Sequence, residues 1–347
     1  MIKIAIILPS LKNVGPNRVA HTLINKLSNK EGVYLKVFYI KNELGLNFTC
    51  DTELLTLVNV RKLYAFDVLH SHMLRPDVLV GLLPFYKGLK ISTIHNIVTE
   101  DIQYTHGSVI SKIFSELWFR TWSRFDKIVV LSKVAKKYYL GHGLKSEKLE
   151  IIYNGIDLDI GSNINYEDKK IIEEFKGDST LLGTLCLANN RKGIEQILYA
   201  LPFLPNYKFI IIGDGPVREY LENLAISLNV RERFFILGYR ENAKDLLKYI
   251  DIYLMPSRSE GFGLALLEAV AAKITVVCSN IPIFKEIFTE RQVSFFELDN
   301  TNSLIQAIHN SINNDINDAY IRLKQNYSSD TMARLYHELY MTCKEVK

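Results

Sequence analysis

The chain has 347 residues, of which 48% are hydrophobic, and a formal net charge of +4, so it is long enough for two domains with substantial cores. No run of 18 apolar residues occurs in the sequence, which excludes a predicted membrane-spanning helix, and the apolar run after Met1 is too short for a signal peptide. The four cysteines are scattered, without a Cys-x-x-Cys pair or a cysteine–histidine cluster, so no metal site is indicated and free thiols of a cytoplasmic protein are expected.

Short apolar runs alternate with amphipathic helical segments along the chain, and this alternation is typical of an α/β protein with parallel sheets covered by helices on both faces. The predicted strands fall into two series. The first series is Ile2–Leu8, Leu35–Ile40, Val68–His70, Ile91–His95, Ile128–Leu131 and Leu149–Ile152. The second series is Leu181–Leu187, Lys208–Ile212, Phe234–Leu237, Ile252–Met255, Thr275–Cys278 and Ser294–Phe296.

A break separates the two series. Asn154-Gly155 and the polar stretch Asp159–Lys170 mark it. We therefore predict two doubly wound domains, residues 1–160 and 161–327. A ligand is expected in the cleft between them, at the carboxyl ends of their strands.

Charge is uneven along the chain. Residues 1–165 contain 21 Lys and Arg against 14 Asp and Glu, whereas the remainder contains 21 against 24. The basic first half suits an anionic membrane surface or an acidic acceptor; a solvated face with chance asymmetry is the alternative.

Residues 108–125 interleave apolar and basic side chains and fit either a membrane-surface helix or a helix with an inward apolar face. These residues are Ile110, Lys112, Phe114, Leu117, Trp118, Arg120, Arg124 and Phe125.

Two features of the first half are candidate ligand contacts. The loop Ser10–Arg18 follows the first strand and contains Gly15, a position that suits contact with a phosphate or an acceptor, although the loop is unremarkable as a turn. His95 ends a predicted strand, and the carboxyl end of a strand in a doubly wound sheet favours a functional role over simple packing. His70 and His72 are weaker candidates. His72 is expected to face the acceptor, whereas His70 is as well explained as a core residue.

In the second half, two predicted strands are followed by residues that suit ligand binding: a positively charged pair after one strand and a glycine turn after the next. Arg191-Lys192-Gly193 follows a strand and opens a helix, and a positive pair at that point is what a diphosphate leaving group needs. Gly213 begins a Gly-Asp-Gly-Pro turn after the next strand. This turn lacks the full Gly-x-Gly-x-x-Gly dinucleotide pattern, because residue 218 is arginine.

Residues 253–269 contain Glu260 and Glu268, separated by seven residues. A predicted strand runs into Glu260. Gly261 and Gly263 then permit close approach of backbone to a ligand, and a helix that starts near Leu264 offers a phosphate its unpaired N–H groups. The two carboxylates can therefore reach different parts of one elongated ligand with a phosphate and hydroxyls. A retaining glycosidase fits poorly, because its carboxyls lie about 5–5.5 Å apart, whereas eight residues of helix rise about 12 Å.

This segment resembles the Glu-x7-Glu signature of retaining GT-B glycosyltransferases, particularly glycosyltransferase family 4. Five further stretches are similar to motifs of that family in the same order and extend the resemblance over most of the chain. They are Asp67-Val-Leu-His-Ser-His72, Ser92-Thr-Ile-His-Asn96, Tyr153-Asn-Gly-Ile-Asp157, Lys192-Gly193 and Ile211-Ile-Gly-Asp-Gly-Pro216. The resemblance implies two Rossmann-like domains that face each other across a cleft, with residues 328–347 crossing back to the N-terminal domain.

The activity that this resemblance implies is retaining transfer of a sugar from a nucleotide diphosphate-sugar, a UDP-sugar, to a hydroxyl of a glycan or lipid-linked oligosaccharide, as in bacterial surface polysaccharide synthesis. It implies a cytoplasmic enzyme, peripheral on the inner face of the plasma membrane, with no cofactor besides the donor and no nucleic-acid partner. No metal is needed if Lys192 and the helix terminus neutralise the diphosphate. Asp157-Leu-Asp159 imitates the Asp-x-Asp metal motif of a different glycosyltransferase fold but lies in the interdomain motif.

By the same resemblance, the catalytic candidates are His95 beside the transferred sugar, Glu260 on the sugar hydroxyls and Lys192 on the leaving diphosphate. Glu268 is expected to bind the ribose. The remaining donor contacts are expected from Gly15, Arg191, Gly213, Gly261, Phe262, Gly263 and Leu264.

The sequence departs from the family pattern at two points. Leu187 stands where an arginine is common, so either Arg191 supplies that guanidinium or Lys192 and backbone hold the diphosphate alone. Family members usually carry a Gly-Gly pair where this chain has Gly15-Pro16, and proline lacks an N–H donor. These departures leave one alternative open, a catalytically degraded glycosyltransferase-like partner subunit. A separate alternative is a GT-B sugar phosphorylase or epimerase, which acts on related substrates but is expected to lack this Glu-x7-Glu context.

Overall fold

The structure is a computed structural model that describes residues 1–97, 116–160, 165–241 and 243–345. The chain forms two compact units. Unit 1 comprises Met1–Asp157 and Asn326–Lys347, and unit 2 comprises Leu158–Gln325. The chain therefore passes between the units twice.

Unit 1 is built on a parallel sheet. Its strands are β1 (Ile2–Leu8), β2 (Val33–Tyr39), β3 (Asp51–Leu54), β4 (Val68–His72), β5 (Leu89–Ile94), β6 (Lys127–Val130) and β7 (Leu149–Ile151). They pair in the order β3-β2-β1-β4-β5-β6-β7. The helices of its first segment are α1 (Gly15–Leu27), α2 (Leu74–Leu82) and α3 (Lys133–Gly141), and residues 116–122 are also helical.

The centre of this sheet is buried on both faces. Every residue of β4 and β5 is buried, as expected for parallel strands with helices on each side. The six strands predicted in this half are confirmed. The edge strand β3 was not predicted, because its sequence Asp-Thr-Glu-Leu has no apolar run and its residues remain partly or fully exposed.

Asp77 is a fully buried carboxylate in α2. The hydroxyls of Ser71 and Ser92 donate to its Oδ1 at 2.6 and 2.9 Å. The indole N–H groups of Trp118 and Trp122 donate to its Oδ2 at 2.7 and 2.9 Å. Burial raises the pKa of Asp77 to about 6, although these four donors favour the ionised form.

Residues 116–125, the described part of the segment predicted as a possible membrane-surface helix, place apolar side chains in the core. Trp118 and Phe125 belong to the core of unit 1, Leu117 is exposed, and Arg120 pairs with Glu116 at 3.1 Å. For these residues the inward-facing alternative is therefore correct. The rest of that prediction, at Ile110, Lys112 and Phe114, lies outside the described residues.

Unit 2 is built on a second parallel sheet. Its strands are β8 (Thr180–Leu185), β9 (Tyr207–Ile212), β10 (Phe234–Gly238), β11 (Ile252–Met255), β12 (Thr275–Ser279) and β13 (Ser294–Phe296). They pair in the order β10-β9-β8-β11-β12-β13. The described helices are α4 (Tyr166–Lys176), α5 (Glu195–Ala200), α6 (Arg218–Ser227), α7 (Leu264–Ala271), α8 (Pro282–Ile287), α9 (Thr301–Asn310) and α10 (Ile316–Asn326).

All six strands predicted for this half are confirmed. Most of their boundaries agree to within one residue, and the end of the first strand differs by two. The first was expected to run to Leu187, but β8 ends at Leu185. Leu187 lies in the following turn with 65% of its surface exposed.

The last segment returns to unit 1 and ends in helix α11 (Ser329–Glu345), which packs against α1. Ile156 and Ser328 form a parallel β-bridge, and the backbone N–H of Ser329 donates to the carbonyl of Ile156 at 2.8 Å. A Cβ at Gly155 would lie 2.3 Å from the carbonyl oxygen of Ser328, so this close approach requires glycine. The return of the C-terminal helix to the N-terminal unit is confirmed.

No helix within the described ranges is long and apolar enough to span a membrane.

Candidate functional site

The strand order of unit 2 reverses between β8 and β11, which lie side by side although β9 and β10 separate them in sequence. Such a reversal opens a crevice at the carboxyl ends of the two strands, where ligands of doubly wound sheets bind. The turn after β8 carries Arg191 and Lys192, and the turn after β11 carries Glu260. The topology therefore brings these three predicted site residues together.

Glu260 lies between the two cations. Lys192 Nζ donates to Glu260 Oε1 at 2.5 Å, and Arg191 NH1 lies 3.7 Å from Glu260 Oε2. Burial alone would raise the pKa of Glu260. The positive charges of Lys192 and Arg191, together with hydrogen bonds, outweigh burial and hold that pKa below its usual value. Glu260 is therefore an ionised carboxylate at neutral pH, with only 8% of its side chain exposed.

A residue that was not predicted, Ser257, orients Glu260. Its hydroxyl donates to Glu260 Oε1 at 2.7 Å, and its own carbonyl accepts from the hydroxyl of Ser279 at 2.6 Å. Ser257 and Ser279 are both buried. The spacing of Ser257 and Glu260, three residues apart after a strand, was the available signal for this contact.

The turn after Glu260 leads into α7. Gly263 precedes this helix with φ of +93°, a left-handed conformation that favours glycine, and a Cβ there would lie 2.8 Å from the ring of Phe284. Phe262 is buried, whereas Gly261 and Leu264 are partly exposed. Helix α7 begins at Leu264, so the predicted helix start is confirmed.

Glu268 lies one turn into α7 and is 4% exposed. Its carboxylate is buried within unit 2, whereas Glu260 lies in the turn before the helix. The two glutamates therefore occupy separate parts of the same turn-and-helix segment.

Gly213 has a packing role in addition to its predicted ligand role. Its φ is +144°, and a Cβ there would lie 1.9 Å from the carbonyl oxygen of Cys186. Its N–H donates to the carbonyl of Gly238 at 3.0 Å. The turn after β9 is thus closely packed on the residue that follows β8.

The three candidate histidines of unit 1 are buried at adjacent strands. His72 Nδ1 and His95 Nε2 lie 2.8 Å apart, so one ring donates to the other. His70 Nδ1 bonds the hydroxyl of Tyr340 at 2.6 Å, and its Nε2 bonds Thr93 Oγ1 at 2.8 Å. His70 therefore connects the sheet to α11, which is a core role.

Burial lowers the pKa of His70 and of His95 to about 3 and places that of His72 well below its usual value. All three imidazoles are therefore neutral at pH 7. A neutral imidazole can form a hydrogen bond with a substrate hydroxyl, but it does not supply a positive charge.

Gly15 belongs to a helix rather than to a loop. The loop was expected to extend to Arg18, but α1 begins at Gly15, with Pro16 in its first turn, where a missing N–H costs no helical hydrogen bond. Gly15 is exposed, and a Cβ there would meet no atom within 4 Å. Asn17, which was not predicted, holds the preceding loop by donating to the carbonyls of Ser10 and Lys12 at 3.0 and 2.9 Å.

The Asp-x-Asp pattern has a structural explanation. Asp157 accepts from the hydroxyl of Ser329 at 2.6 Å and lies 3.6 Å from Lys26 Nζ, so it helps to hold the returning C-terminal segment. Within the part of the chain that the structure describes, no three His, Cys, Asp or Glu side chains are grouped closely enough to hold a metal ion.

Comparisons with known proteins agree with this architecture. Residues 16–160 match the sequence model of the family described as Glycosyltransferase Family 4, and residues 165–328 match that of Glycosyl transferases group 1. The chain is 34% identical over 353 residues to the O-antigen biosynthesis glycosyltransferase WclY of Escherichia coli, with 97% of this chain and 98% of WclY covered. The chain belongs to glycosyltransferase family 4.

Other proteins are similar to this family 4 glycosyltransferase. A UDP-Gal:alpha-D-GlcNAc-diphosphoundecaprenol alpha-1,3-galactosyltransferase of Escherichia coli is 26% identical over 66% of this chain and 61% of its own length. The crystal structure of Anabaena HepE in complex with UDP and glucose superposes with a TM-score of 0.85 over 99% of this chain and 100% of HepE, at 16% identity. The predicted GT-B fold is confirmed, and the activity of this glycosyltransferase is glycosyl transfer.

Proposed function

We propose that this glycosyltransferase moves a sugar from a UDP-sugar to a hydroxyl of a lipid-linked oligosaccharide during synthesis of a bacterial surface polysaccharide. The observation that carries the proposal is the cluster of Arg191, Lys192 and Glu260 at the strand reversal of unit 2. Relatives support the choice of substrates. One is named for UDP-galactose and a diphosphoundecaprenol-linked acceptor, and HepE has been crystallised with UDP.

Lys192 and Arg191 are the proposed partners of the diphosphate. Their side chains are 17% and 22% exposed, so their charges act where solvent screening is reduced. A fixed positive charge stabilises the negative charge that develops on the leaving diphosphate. With these two cations in place, the reaction is proposed to need no metal ion.

Glu260 and Glu268 are proposed to hold the two ends of the donor. Glu260, kept ionised by Lys192, accepts hydrogen bonds from hydroxyls of the sugar, and the backbone of residues 261–264 lies beside it. Glu268 accepts from the ribose hydroxyls, and Gly213 lies near the base. In unit 1, the neutral ring of His95 is proposed to form a hydrogen bond with a substrate hydroxyl.

Retention of configuration is proposed to proceed by attack on the face that the diphosphate leaves. In that route the leaving phosphate oxygen takes the proton of the acceptor hydroxyl. Glu260 is poorly suited to act as a nucleophile, because Lys192 and Ser257 both donate to Oε1 and Arg191 lies close to Oε2.

The first test is protection against thermal unfolding by a panel of UDP-glucose, UDP-galactose, UDP-N-acetylglucosamine, UDP-N-acetylgalactosamine and GDP-mannose. A donor present at 100 times its Kd should add about 2.7 kcal/mol to the stability of the folded state. UDP release from the best donor, with and without acceptor, then measures turnover. Binding without turnover would favour a degraded partner subunit, and release of a sugar phosphate would favour a phosphorylase.

Two further measurements test the mechanism. Proton NMR of the glycoside product should show the anomeric configuration of the donor, whereas an inverted product would rule out front-face transfer. Activity should survive EDTA. If activity is lost in EDTA and Mg²⁺ or Mn²⁺ restores it, the side chains of Lys192 and Arg191 do not suffice to neutralise the diphosphate.

Peripheral binding at the cytoplasmic face of a membrane is proposed from the excess of basic residues in 1–165 and from a lipid-linked acceptor. Sedimentation with vesicles that contain phosphatidylglycerol tests it. Binding should fall as salt rises, and equal binding to neutral phosphatidylcholine vesicles would contradict an electrostatic contact.

A further inference from the structure

The turns that carry Lys192 and Glu260 approach each other backbone to backbone. The N–H of Arg258 donates to the carbonyl of Arg191 at 2.9 Å. Gly193 has a φ of +60°, and a Cβ there would lie 2.4 Å from the carbonyl oxygen of Pro256. The spacing between the two turns is therefore set by tight backbone contacts.

Gln196 joins these turns through its side chain. It lies in the first turn of α5 and is 6% exposed. Its Nε2 donates to the carbonyls of Gly193 and Pro256, both at 3.0 Å, and its Oε1 accepts from the N–H of Asp299 at 2.7 Å. One buried amide thus connects the turns that follow β8, β11 and β13.

The orientation of this amide follows from the chemistry of its partners. The N–H of Asp299 can only donate, so it must face the amide oxygen. The carbonyls of Gly193 and Pro256 can only accept, so they must face the amide nitrogen. Both N–H donors and the oxygen of Gln196 are therefore used, and an apolar side chain of similar size would leave all three partners without this contact.

Asp299 is held for this contact in an uncommon conformation. Its φ is +58°, a region in which aspartate is enriched among residues other than glycine. Its carboxylate pairs with Arg258 NH2 at 2.5 Å, and Arg258 NH1 pairs with Glu195 at 2.7 Å. These contacts therefore form one connected polar network that joins the turns after β8, β11 and β13.

We propose that Gln196 is a positioning residue that fixes the separation of Lys192 and Glu260 for the transferring donor; this inference rests on the proposed function of that pair. Gln196 acts through the two turns and does not itself touch substrate. Catalytic groups must be held within about 0.5 Å of the productive geometry, and a misplacement of about 1 Å can cost on the order of 100-fold in rate.

The test compares Gln196→Leu with Gln292→Leu, a matched control in the same unit. Gln292 is also buried, at 5% exposure, and it also uses both ends of its amide: it donates to Asp318 at 2.9 Å and accepts from the N–H of Thr289 at 3.0 Å. Both variants should lower the unfolding temperature. Only Gln196→Leu should lower kcat for UDP release from a UDP-sugar, by about 10- to 100-fold, because only it loosens the two turns.

A double-mutant comparison separates positioning from general destabilisation. In a Lys192→Ala background, Gln196→Leu should cost less than about threefold, because the geometry that it maintains has already been lost. The full single-mutant cost in that background would overturn the proposal, and so would a folded Gln196→Leu protein within about twofold of wild type.

If Gln196→Leu does not fold, Gln196→Glu replaces it with the same expected outcomes. That variant has the same size, keeps an oxygen for Asp299 and loses both N–H donors. Failure of the proposed function gives a different result: Lys192→Ala and Glu260→Gln would both retain wild-type activity, whatever Gln196 does.

Discussion

Lys192 Nζ lies 2.5 Å from Glu260 Oε1, so the ionised state of Glu260 depends on Lys192. Glu260 is largely buried and stays ionised because Lys192 and Arg191 compensate for its desolvation. Removal of either cation therefore has two expected effects: it takes a positive charge from the proposed donor site, and it raises the pKa of Glu260. Substitutions at these positions should be analysed as a coupled set.

We expect Lys192→Ala to lower kcat by about 100-fold or more, and Arg191→Ala to lower it less. The reason is that Lys192 contacts Glu260 directly, whereas Arg191 lies 3.7 Å away, and a cation that stabilises the transition state in a dry site contributes a few kcal/mol. Steady-state UDP release measures both. Lys176→Ala is the control, because Lys176 pairs with Asp251 at the amino end of β11, whereas Glu260 follows the carboxyl end of that strand.

An equal loss in Arg191→Ala would mean that Arg191 has taken over the role of the arginine absent at position 187. Leu187→Arg tests that position directly. Leu187 is 65% exposed, so the substitution disturbs no core packing. A gain in activity would show that the diphosphate lies within reach of residue 187.

Glu260→Gln should mainly lower kcat, whereas Glu268→Ala should raise the KM for the donor and lower kcat as well. The proposed reason is that Glu260 lies beside the reacting sugar and Glu268 binds the nucleotide end. Initial rates over a range of donor concentrations separate the two effects. Wild-type kinetics in both variants would rule out the proposed donor site.

Whether the sequence predicts a contact of this site depends on how far apart in the chain the two residues lie. Glu260 and Glu268 lie in one short segment, so a motif identifies them together. The contact of Lys192 with Glu260 follows from topology, because β8 and β11 were recognisable as strands. Gln196 gave no signal, since its contact with Pro256 spans 60 residues and depends on the backbone conformations of three loops.

The same limit applies to the fold. Apolar runs identify buried strands such as β1, whereas the edge strand β3 satisfies its backbone on one side and keeps polar residues. The apolar pattern predicts that β8 continues to Leu187, because the side chain of Leu187 is apolar like those before it. Strand pairing, which ends at Leu185, decides the boundary.

Tryptophan fluorescence should titrate with a midpoint near pH 6. The chain has two tryptophans, Trp118 and Trp122, and both donate to Asp77, whose pKa burial raises to about 6. Protonation of Asp77 removes the negative charge beside both indoles. Asp77→Asn should abolish this titration, and a titration that persists in Asp77→Asn would exclude Asp77 as its source.

Unit 1 should lose stability as the pH falls below about 6.5. His70 and His95 have pKa values of about 3 in the folded chain, against about 6.5 when unfolded, so the unfolded state binds protons first. Their contribution is complete above pH 6.5 and is lost towards pH 3, at up to about 1.4 kcal/mol per pH unit for each histidine. Asp77 acts in the opposite sense, because its raised pKa favours the folded state below pH 6.

Urea unfolding at pH 7.5 and 5.5 measures the balance. Both tryptophans lie in unit 1, so fluorescence follows that unit. The histidines outnumber Asp77, and the unfolding midpoint should therefore be lower at pH 5.5. His70→Gln should reduce the difference between the two midpoints, and identical wild-type midpoints would contradict the prediction.

The pairing of Ile156 with Ser328 has a consequence for the order of synthesis. All of unit 2 leaves the ribosome before residues 326–345, so unit 2 can fold while unit 1 still lacks α11. Until that helix arrives, His70 and Thr93 have no Tyr340 and Tyr336 to bond. A premature stop or proteolytic cut after unit 2 would therefore leave all residues of unit 2, including Lys192 and Glu260, in the chain. Unit 1 would lose helix α11 and its contacts with His70 and Thr93.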